Sequence, residues 1–518
     1  MAEPAMHPVV GAERPYLLRR MVLTLCGECL REHPDLELEY ERDVLQGVLA
    51  EQDGAIWLRR VCRRGHGEVV SLYEEDASLW ADLQTWRAPA KWVAPDSADC
   101  LPIPMGYVDG LGPLQEQHTC ILLIDLTEDC NLACPPCFAS SRPGRDRYAP
   151  VASVLASVDA ATAREGGALD LVMLSGGEPT LHPRLDEVLD GLLERPVRRI
   201  VLNTNGLRLA RDDQLLARLV AARPRIELYL QWDGPSTGAT RQLRGADLVD
   251  LRRRALERAT GERLFVTLAC AVGAGINDRD VGDVLRTALE TRYVGGVVFQ
   301  PLFGAGSVDP VARATTTGVI RRLALQAPEV IKADDFVALP CSHPDCTALT
   351  FLVRDDHGAW RSLPDLLGRD RMREHLGLAS NRLIPDDAMW SDLSALLSGS
   401  MSVSRTEMVE HLVGLAGACR LDVGGFVRTL ARSVLGGRDG IEDAALRVKR
   451  ISVKGFMDAW TLNVERLRQC CVHVGTIEDG AGPVRIPFCA RNVVPGLYAR
   501  AGRGMAPTER LVNAPRPT

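Results

Sequence analysis

Between residues 115 and 330 the chain repeats one pattern. A short apolar run is followed by a polar or glycine-rich loop, and then by a stretch with apolar positions every three or four residues. The apolar runs Ile121–Leu126, Leu169–Leu174, Arg199–Leu202, Ile226–Gln231, Leu264–Ala271 and Gly296–Gln300 predict six β-strands. The stretches between them predict amphipathic helices, each with one apolar face: Val151, Val154, Leu155 and Val158; Leu185, Val188, Leu189 and Leu192; Leu215, Leu216 and Leu219; Val281, Val284, Leu285 and Ala288. Strand–helix alternation implies a parallel sheet, so the fold class is α/β and the expected architecture a partial (βα)6 barrel. Each strand is followed by an unusual loop, in order TEDCNLACPPC, SGGEPT, NTNG, QWDG, GAGIND and QPLFG. In βα barrels chemistry sits at the C-terminal ends of the strands.

The flanks have other patterns. Residues 1–95 hold short strand-like runs at Ile56–Leu58 and Val69–Tyr73, and a Pro-containing linker is expected over Pro89–Pro104. Residues 331–518 are less regular, with an expected strand at Leu349–Val353 and helical stretches between about 380 and 470. The reading is therefore a small N-terminal module over 1–95, a core over 115–330 and a C-terminal α+β region over 331–518.

Composition changes little in this picture. Of 518 residues, 46% are apolar and 25% charged, as in soluble globular proteins. The net charge of −7 gives no global reason to expect a nucleic-acid partner, and the Arg252–Arg254 run reads as a solvated helix face. No leader pattern and no apolar stretch of membrane-spanning length is apparent, so a cytoplasmic location is expected. The cysteines matter more. There are 15, mostly in close sets, and in a reducing compartment such sets argue for metal or cluster ligation rather than disulfides.

Cys130, Cys134 and Cys137 lie on the loop after the first core strand. Three thiolates on one loop suit three irons of a [4Fe–4S] cube and leave one iron open. A structural zinc knuckle is the alternative, but such sites usually close with four ligands. The next loop carries Gly176, Gly177, Glu178 and Pro179; glycines there allow close backbone approach to a ligand. Asn203 and Asn205 end the third strand, where short amides suit ribose hydroxyls or a carboxylate, or simply a turn or helix cap. Gln231 and Asp233, Asn277 and Asp278, and Gln300 occupy the corresponding ends of the later strands. His182 and His343 are as readily ordinary hydrogen-bonded histidines as participants.

The CxxxCxxC loop followed by GGEP resembles the radical S-adenosylmethionine (SAM) superfamily. The resemblance implies that the open iron chelates the amino and carboxylate groups of SAM, that reduction generates a 5′-deoxyadenosyl radical, and that this radical abstracts hydrogen from an unactivated carbon. It implies that the later loops line the SAM and substrate cavity, with adenine contacts near Gln300 and Pro301, and that a reductant such as flavodoxin or ferredoxin supplies the electron. One departure stands out: the family's aromatic residue before the last cysteine is Pro136 here, with Phe138 one place later.

Two further cysteine sets flank the core. Cys26, Cys29, Cys62 and His66 form a CxxC…CxxxH set that matches a rubredoxin-like or zinc-ribbon-like site for one zinc or iron, closed and therefore structural. Cys341, Cys346, Cys470, Cys471 and Cys489 offer five thiols, four of which suit an auxiliary [4Fe–4S] cluster, with Cys419 a further candidate. Cys100, Cys120 and Cys270 read as core residues.

Together the outer sets resemble the group that contains tetraether lipid synthases and proteins described as pterin methyltransferases. The resemblance implies radical C–C bond formation on a lipid or other apolar substrate, with peripheral membrane contact and no spanning segment. A Met408, Val409, Leu412 and Leu415 helix face would suit such a substrate or a plain core. The alternatives are radical methylation of a small heterocycle such as a pterin, and a non-catalytic iron–sulfur electron carrier.

Overall fold

A computed structural model of the chain describes residues 15–33, 40–86, 118–304 (less 224), 313–369 (less 340, 341 and 356), 442, and 446–493 (less 479 and 480). The linker at Pro89–Pro104, Cys100, Cys341, Cys419 and the Met408–Leu415 face lie outside these residues.

The N-terminal module is an antiparallel sheet of β1 (Leu17–Thr24), β2 (Leu45–Gln52), β3 (Ala55–Cys62) and β4 (Gly67–Glu74), in that order. Two short helices, α1 (Gly27–Glu32) and α2 (Tyr40–Asp43), link β1 to β2, and α3 (Ala77–Leu83) follows β4. Alternation buries Leu49, Ile56, Leu58 and Tyr73 on one face, where Trp80 of α3 covers them. The Asp76 carboxylate caps α3 by accepting from the Leu79 N–H at 2.8 Å.

The core strands are β5 (Ile121–Thr127), β6 (Leu169–Gly176), β7 (Val197–Thr204), β8 (Ile226–Gln231), β9 (Val266–Val272) and β10 (Val294–Pro301). They pair in parallel in sequential order, as the alternation of elements predicts. The helices α4 (Val151–Arg164), α5 (Leu185–Leu193), α6 (Asp213–Ala221), α7 (Thr237–Arg244), α8 (Val249–Gly261), α9 (Val281–Glu290) and α10 (Thr316–Gln326) run between and after them. Leu122, Ile124, Leu126, Val172, Leu174, Ile200 and Leu202 face this helical layer and form the main core.

The C-terminal residues extend the same sheet at both edges. They comprise β11 (Val337–Ala338), β12 (Thr347–Arg354), β13 (Trp360–Ser362), α11 (Leu363–Leu367), β14 (Val448–Lys454), α12 (Val464–Arg468), β15 (Val472–Glu478), β16 (Ala481–Pro487) and α13 (Phe488–Val493). β14 adds in parallel to β10, and β15 adds in parallel to β5. Eight parallel strands therefore run in the order β14-β10-β9-β8-β7-β6-β5-β15, with antiparallel strands outside them.

The helical expectation up to about 470 is thus corrected at Val448–Lys454. Ile451 and Val453 pack into the main core, while Arg450, Ser452 and Lys454 line the cavity on the other face. That is a period of two, and period two means strand. Gly296 lets β14 approach: a Cβ there would sit 2.0 Å from the Arg450 carbonyl oxygen.

The N-terminal module docks through Asp345, a buried carboxylate in the loop before β12. It accepts from the Tyr73 hydroxyl at 2.7 Å, the Trp80 indole at 2.9 Å and the Gln84 amide at 2.6 Å. Three donors from one module on one acidic group of the other fix the module's orientation, and each hydrogen bond to a charged group contributes roughly 1.5–3 kcal/mol.

Candidate active site

The loop after β5 is held by its neighbour as well as by its own turns. Gly177 and Glu178 donate backbone N–H bonds to the carbonyls of Thr127 (2.7 Å) and Asp129 (2.9 Å), just before Cys130. A Cβ on Gly176 would lie 2.4 Å from the Thr127 oxygen, and one on Gly177 would lie 2.0 Å from the Asp129 oxygen. Gly176 also has φ +115°, which side chains disfavour. The two glycines are needed because backbone meets backbone there.

Cys130 is buried, and Cys134 and Cys137 are half-buried. Burial, aided by the nearby Glu178, Cys134 and Cys137, pushes the Cys130 thiol up to about 12. The strongest influences on Cys130 and Cys134 include the other thiols of the loop and no cysteine from elsewhere. A buried thiol raised in this way is readily kept as a thiolate by a bound cation, which suits Cys130 and Cys134 as cluster ligands.

Glu178 turns inward. It is 1% exposed, and its carboxylate accepts from the Thr180 hydroxyl (2.7 Å), the Thr204 hydroxyl (2.7 Å) and the Asn205 N–H (2.8 Å). Its side chain ties the second loop to the third. Pro179 opens a 3-10 turn over Pro179–Leu181. Asn205 reaches the cluster loop, its amide donating to Asn131 at 2.7 Å, and Asn203 donates to Ser175 at 3.2 Å.

Asp233 is also internal, where a SAM contact was expected. It pairs with the half-buried Arg244 (2.7 Å) and the buried Arg252 (2.8 Å), and accepts from the Ala271 N–H at 3.2 Å. Burial pushes its carboxyl up, but the two arginines outweigh that and hold it at about 2. Arg252 is 2% exposed, which corrects the reading of Arg252–Arg254 as a wholly solvated face; it also donates to the Gln231 amide oxygen at 3.2 Å. Arg244 hydrogen-bonds Cys134 as well and so links Asp233 to the cluster loop.

Asn277 is 1% exposed; its amide donates to the carbonyls of Asp233 (3.0 Å) and Ala271 (2.7 Å), and it accepts from the Gly273 N–H at 2.9 Å. It shapes the loop and does not face the cavity. Asp278 pairs with Arg322 at 3.2 Å. Gln300 donates to the Tyr229 hydroxyl at 2.9 Å. His182, 3% exposed, lies 2.9 Å from the Ala149 carbonyl and is an ordinary core histidine.

Residues 124–288, spanning this loop set, match the Radical SAM superfamily profile. The chain carries a radical SAM domain. Over 506 residues it is 25% identical to 7,8-dihydro-6-hydroxymethylpterin dimethyltransferase of Methanocaldococcus jannaschii, covering 92% of this chain and 94% of that enzyme. Over 205 residues it is 30% identical to GTP 3',8-cyclase of Mycobacterium marinum, covering 38% of this chain and 55% of the cyclase. The chain thus spans about half the length of that cyclase. Among solved structures, Streptococcus suis SuiB bound to S-adenosylmethionine aligns with TM-score 0.33 and 14% identity over 40% of this chain and 44% of that one.

Outside the radical SAM loops, four thiols meet at one cavity. Cys346, Cys470, Cys471 and Cys489 line it together, beside Cys120. Burial raises the Cys470 thiol well above its ordinary value, and Cys489, Cys471 and Cys346 all add to that. Arg466 hydrogen-bonds Cys346 and lowers its pKa against the effect of burial. Four mutually interacting thiols around a space fit an auxiliary cluster. Cys120 lines the same cavity, whereas Cys270 is an enclosed core residue, as expected. His343, 0% exposed, sits between Asp345 (3.5 Å) and Glu465 (3.7 Å).

The N-terminal set is tighter. The donor atoms of Cys26, Cys29, Cys62 and His66 all lie within 4.8 Å of one another. His66 Nδ1 is 3.3 Å from Cys29 Sγ, 3.4 Å from Cys62 Sγ and 3.7 Å from Cys26 Sγ, and the Cys29 and Cys62 sulfurs are 3.5 Å apart. A tetrahedral zinc with bonds of ~2.3 Å to sulfur and ~2.0 Å to nitrogen puts its donors roughly 3.5–3.8 Å apart, within a few tenths of an ångström of these distances. The fit is to one ion. The far ring nitrogen of His66 lies 3.0 Å from the Glu32 carboxylate, which orients the ring. Sequence reading missed Glu32, as it missed Arg244 and Arg466, because each acts across a distance in sequence that no local spacing marks.

Proposed function

We propose that this radical SAM enzyme abstracts hydrogen from an unactivated carbon of an apolar substrate and uses the resulting carbon centre to form a C–C bond. The observation that carries the reading is the lining of the cavity inside the barrel, set by the first and middle residues of the core strands. Leu171, Met173, Val201, Val298, Phe456 and Phe488 present apolar surface there, beside the auxiliary cysteines. When bound, the cluster and SAM supply the radical. The chain's own residues hold Cys130, Cys134 and Cys137 at the mouth of the barrel and exclude water from the apolar lining. Cys346, Cys470, Cys471 and Cys489 hold the auxiliary cluster, and Cys26, Cys29, Cys62 and His66 a structural ion. A small flavodoxin or ferredoxin is the reductant, and the enzyme works in the cytoplasm; among the described residues no helix is long and apolar enough to cross a membrane.

The test is direct. The anaerobically reconstituted enzyme, reduced with dithionite, converts SAM to 5′-deoxyadenosine, and lipid extracts from cells lacking the gene lose a product that joins or extends alkyl chains. Unchanged extracts overturn the apolar-substrate reading. A second reading, methylation of a reduced heterocycle, is favoured by the near full-length likeness to the pterin dimethyltransferase. It predicts a changed pterin profile with unchanged lipids.

A further inference from the structure

The cavity encloses about 1330 Å³ out to its open mouth, and it is apolar except for one uneven set of charges. Arg199, Arg450 and Lys454 line it, against the single carboxylate of Glu227. That carboxylate is already used: Arg199 pairs with it at 3.2 Å, and the Thr267 hydroxyl donates to its other oxygen. Lys454 lies over the Phe456 ring at 5.6 Å and acts on Cys489, so its charge belongs to the cysteine end.

Arg450 is left over. The alternation of β14 turns it to the cavity, and among the described residues it makes no ion pair. Its neighbour is Tyr229, whose hydroxyl feels Arg450 more than any other charge. The Tyr229 oxygen accepts from Gln300 at 2.9 Å, so its own proton is directed away from that amide. Arg450 and the Tyr229 hydroxyl line the same cavity, whose one carboxylate, Glu227, is already held by Arg199 and Thr267; together they form half of a binding site for an anion.

We infer that Arg450 and Tyr229 bind the acidic end of the substrate, a carboxylate or a phosphate, and so anchor an amphipathic molecule whose apolar body lies along the cavity. This deepens the reading proposed above and rests on it. The geometry gives Gln300 a positioning role: it fixes the Tyr229 hydroxyl from the rim of the barrel.

The experiment measures equilibrium binding to the full-length, cluster-loaded protein with three probes: decyl phosphate, decanoate and the neutral decanol. The unaltered protein should bind one or both anions at least tenfold more tightly than decanol, and the order of the two anions distinguishes phosphate from carboxylate. Arg450→Gln should weaken both anions by about 10–100-fold, as expected for loss of a charge-assisted contact, and leave decanol unchanged. Tyr229→Phe should weaken them several-fold, and Arg450→Lys should recover part of the loss. Circular dichroism and cluster absorbance confirm that each variant is folded and loaded. Anion binding that is unchanged in Arg450→Gln, or no tighter than decanol in the unaltered protein, overturns the anchor alone. If decanol and both anions all fail to bind, the apolar-substrate reading falls with it.

Discussion

Two cysteine sites of this protein teach opposite lessons in coordination. In the N-terminal module three sulfurs and one ring nitrogen converge from α1, the end of β3 and the turn after it, within contact of one another. Every tetrahedral position is taken by the chain. At the barrel mouth the three thiols come from a single loop, and among the described residues their donors do not gather as tightly as the N-terminal set. That loop is held open by backbone bonds from Gly177 and Glu178. A closed site of this kind can only hold its ion, whereas a cluster held by the three loop thiols, as proposed above, would keep a coordination position for a ligand.

Breaking this contrast has graded consequences. The largest is Cys134→Ala, which should abolish 5′-deoxyadenosine formation and remove that cluster's iron while the N-terminal ion stays bound; metal counting and product chromatography check both. Next is Asp233→Asn, which leaves Arg244 and the buried Arg252 without their carboxylate. It should cost about 3–5 kcal/mol in denaturant unfolding and loosen the cluster loop. The pH dependence follows from the same pair. A folded pKa of about 2 lies below the usual carboxylate value, so this stabilisation is fully present above about pH 4 and is lost as pH falls through 2. The Asp233→Asn variant should therefore lack that part of the acid-unfolding transition.

Smaller effects sharpen the other side. Cys62→Ala should remove one equivalent of zinc or iron and lower the module's unfolding transition by roughly 5–10 °C, with SAM cleavage by the folded enzyme preserved. Glu32→Gln is the mildest. It leaves all four ligands in place but weakens the hold on the His66 ring, and should reduce ion affinity about tenfold in a chelator competition.

The comparison also shows which residues were legible. The CxxC…CxxxH set was readable because each ligand pair is local and the chemistry restricts the residue types. The cluster loop was readable for the same reason. Asp233 and Asn277 were expected to face a ligand because they stand at strand ends. They instead bond inward, since a buried carboxylate or amide between loops must find its partners there. Cys341, part of the second set in sequence, lies outside the described residues and gives no further information on ligand choice.

Sequence alone determined the six core strands and their parallel order, because period-two and period-3.6 patterns report which faces meet the core. It also picked out Cys26, Cys29, Cys62 and His66, whose donor atoms meet in the structure. Only the tertiary structure placed Val448–Lys454 and Val472–Glu478 at the two edges of that sheet, brought Cys346 to Cys470, Cys471 and Cys489, and set Arg450 facing the cavity with no ion pair among the described residues. Those outcomes depend on contacts between residues more than a hundred positions apart, and the free energy that selects them comes from packing a common interior rather than from any local pattern.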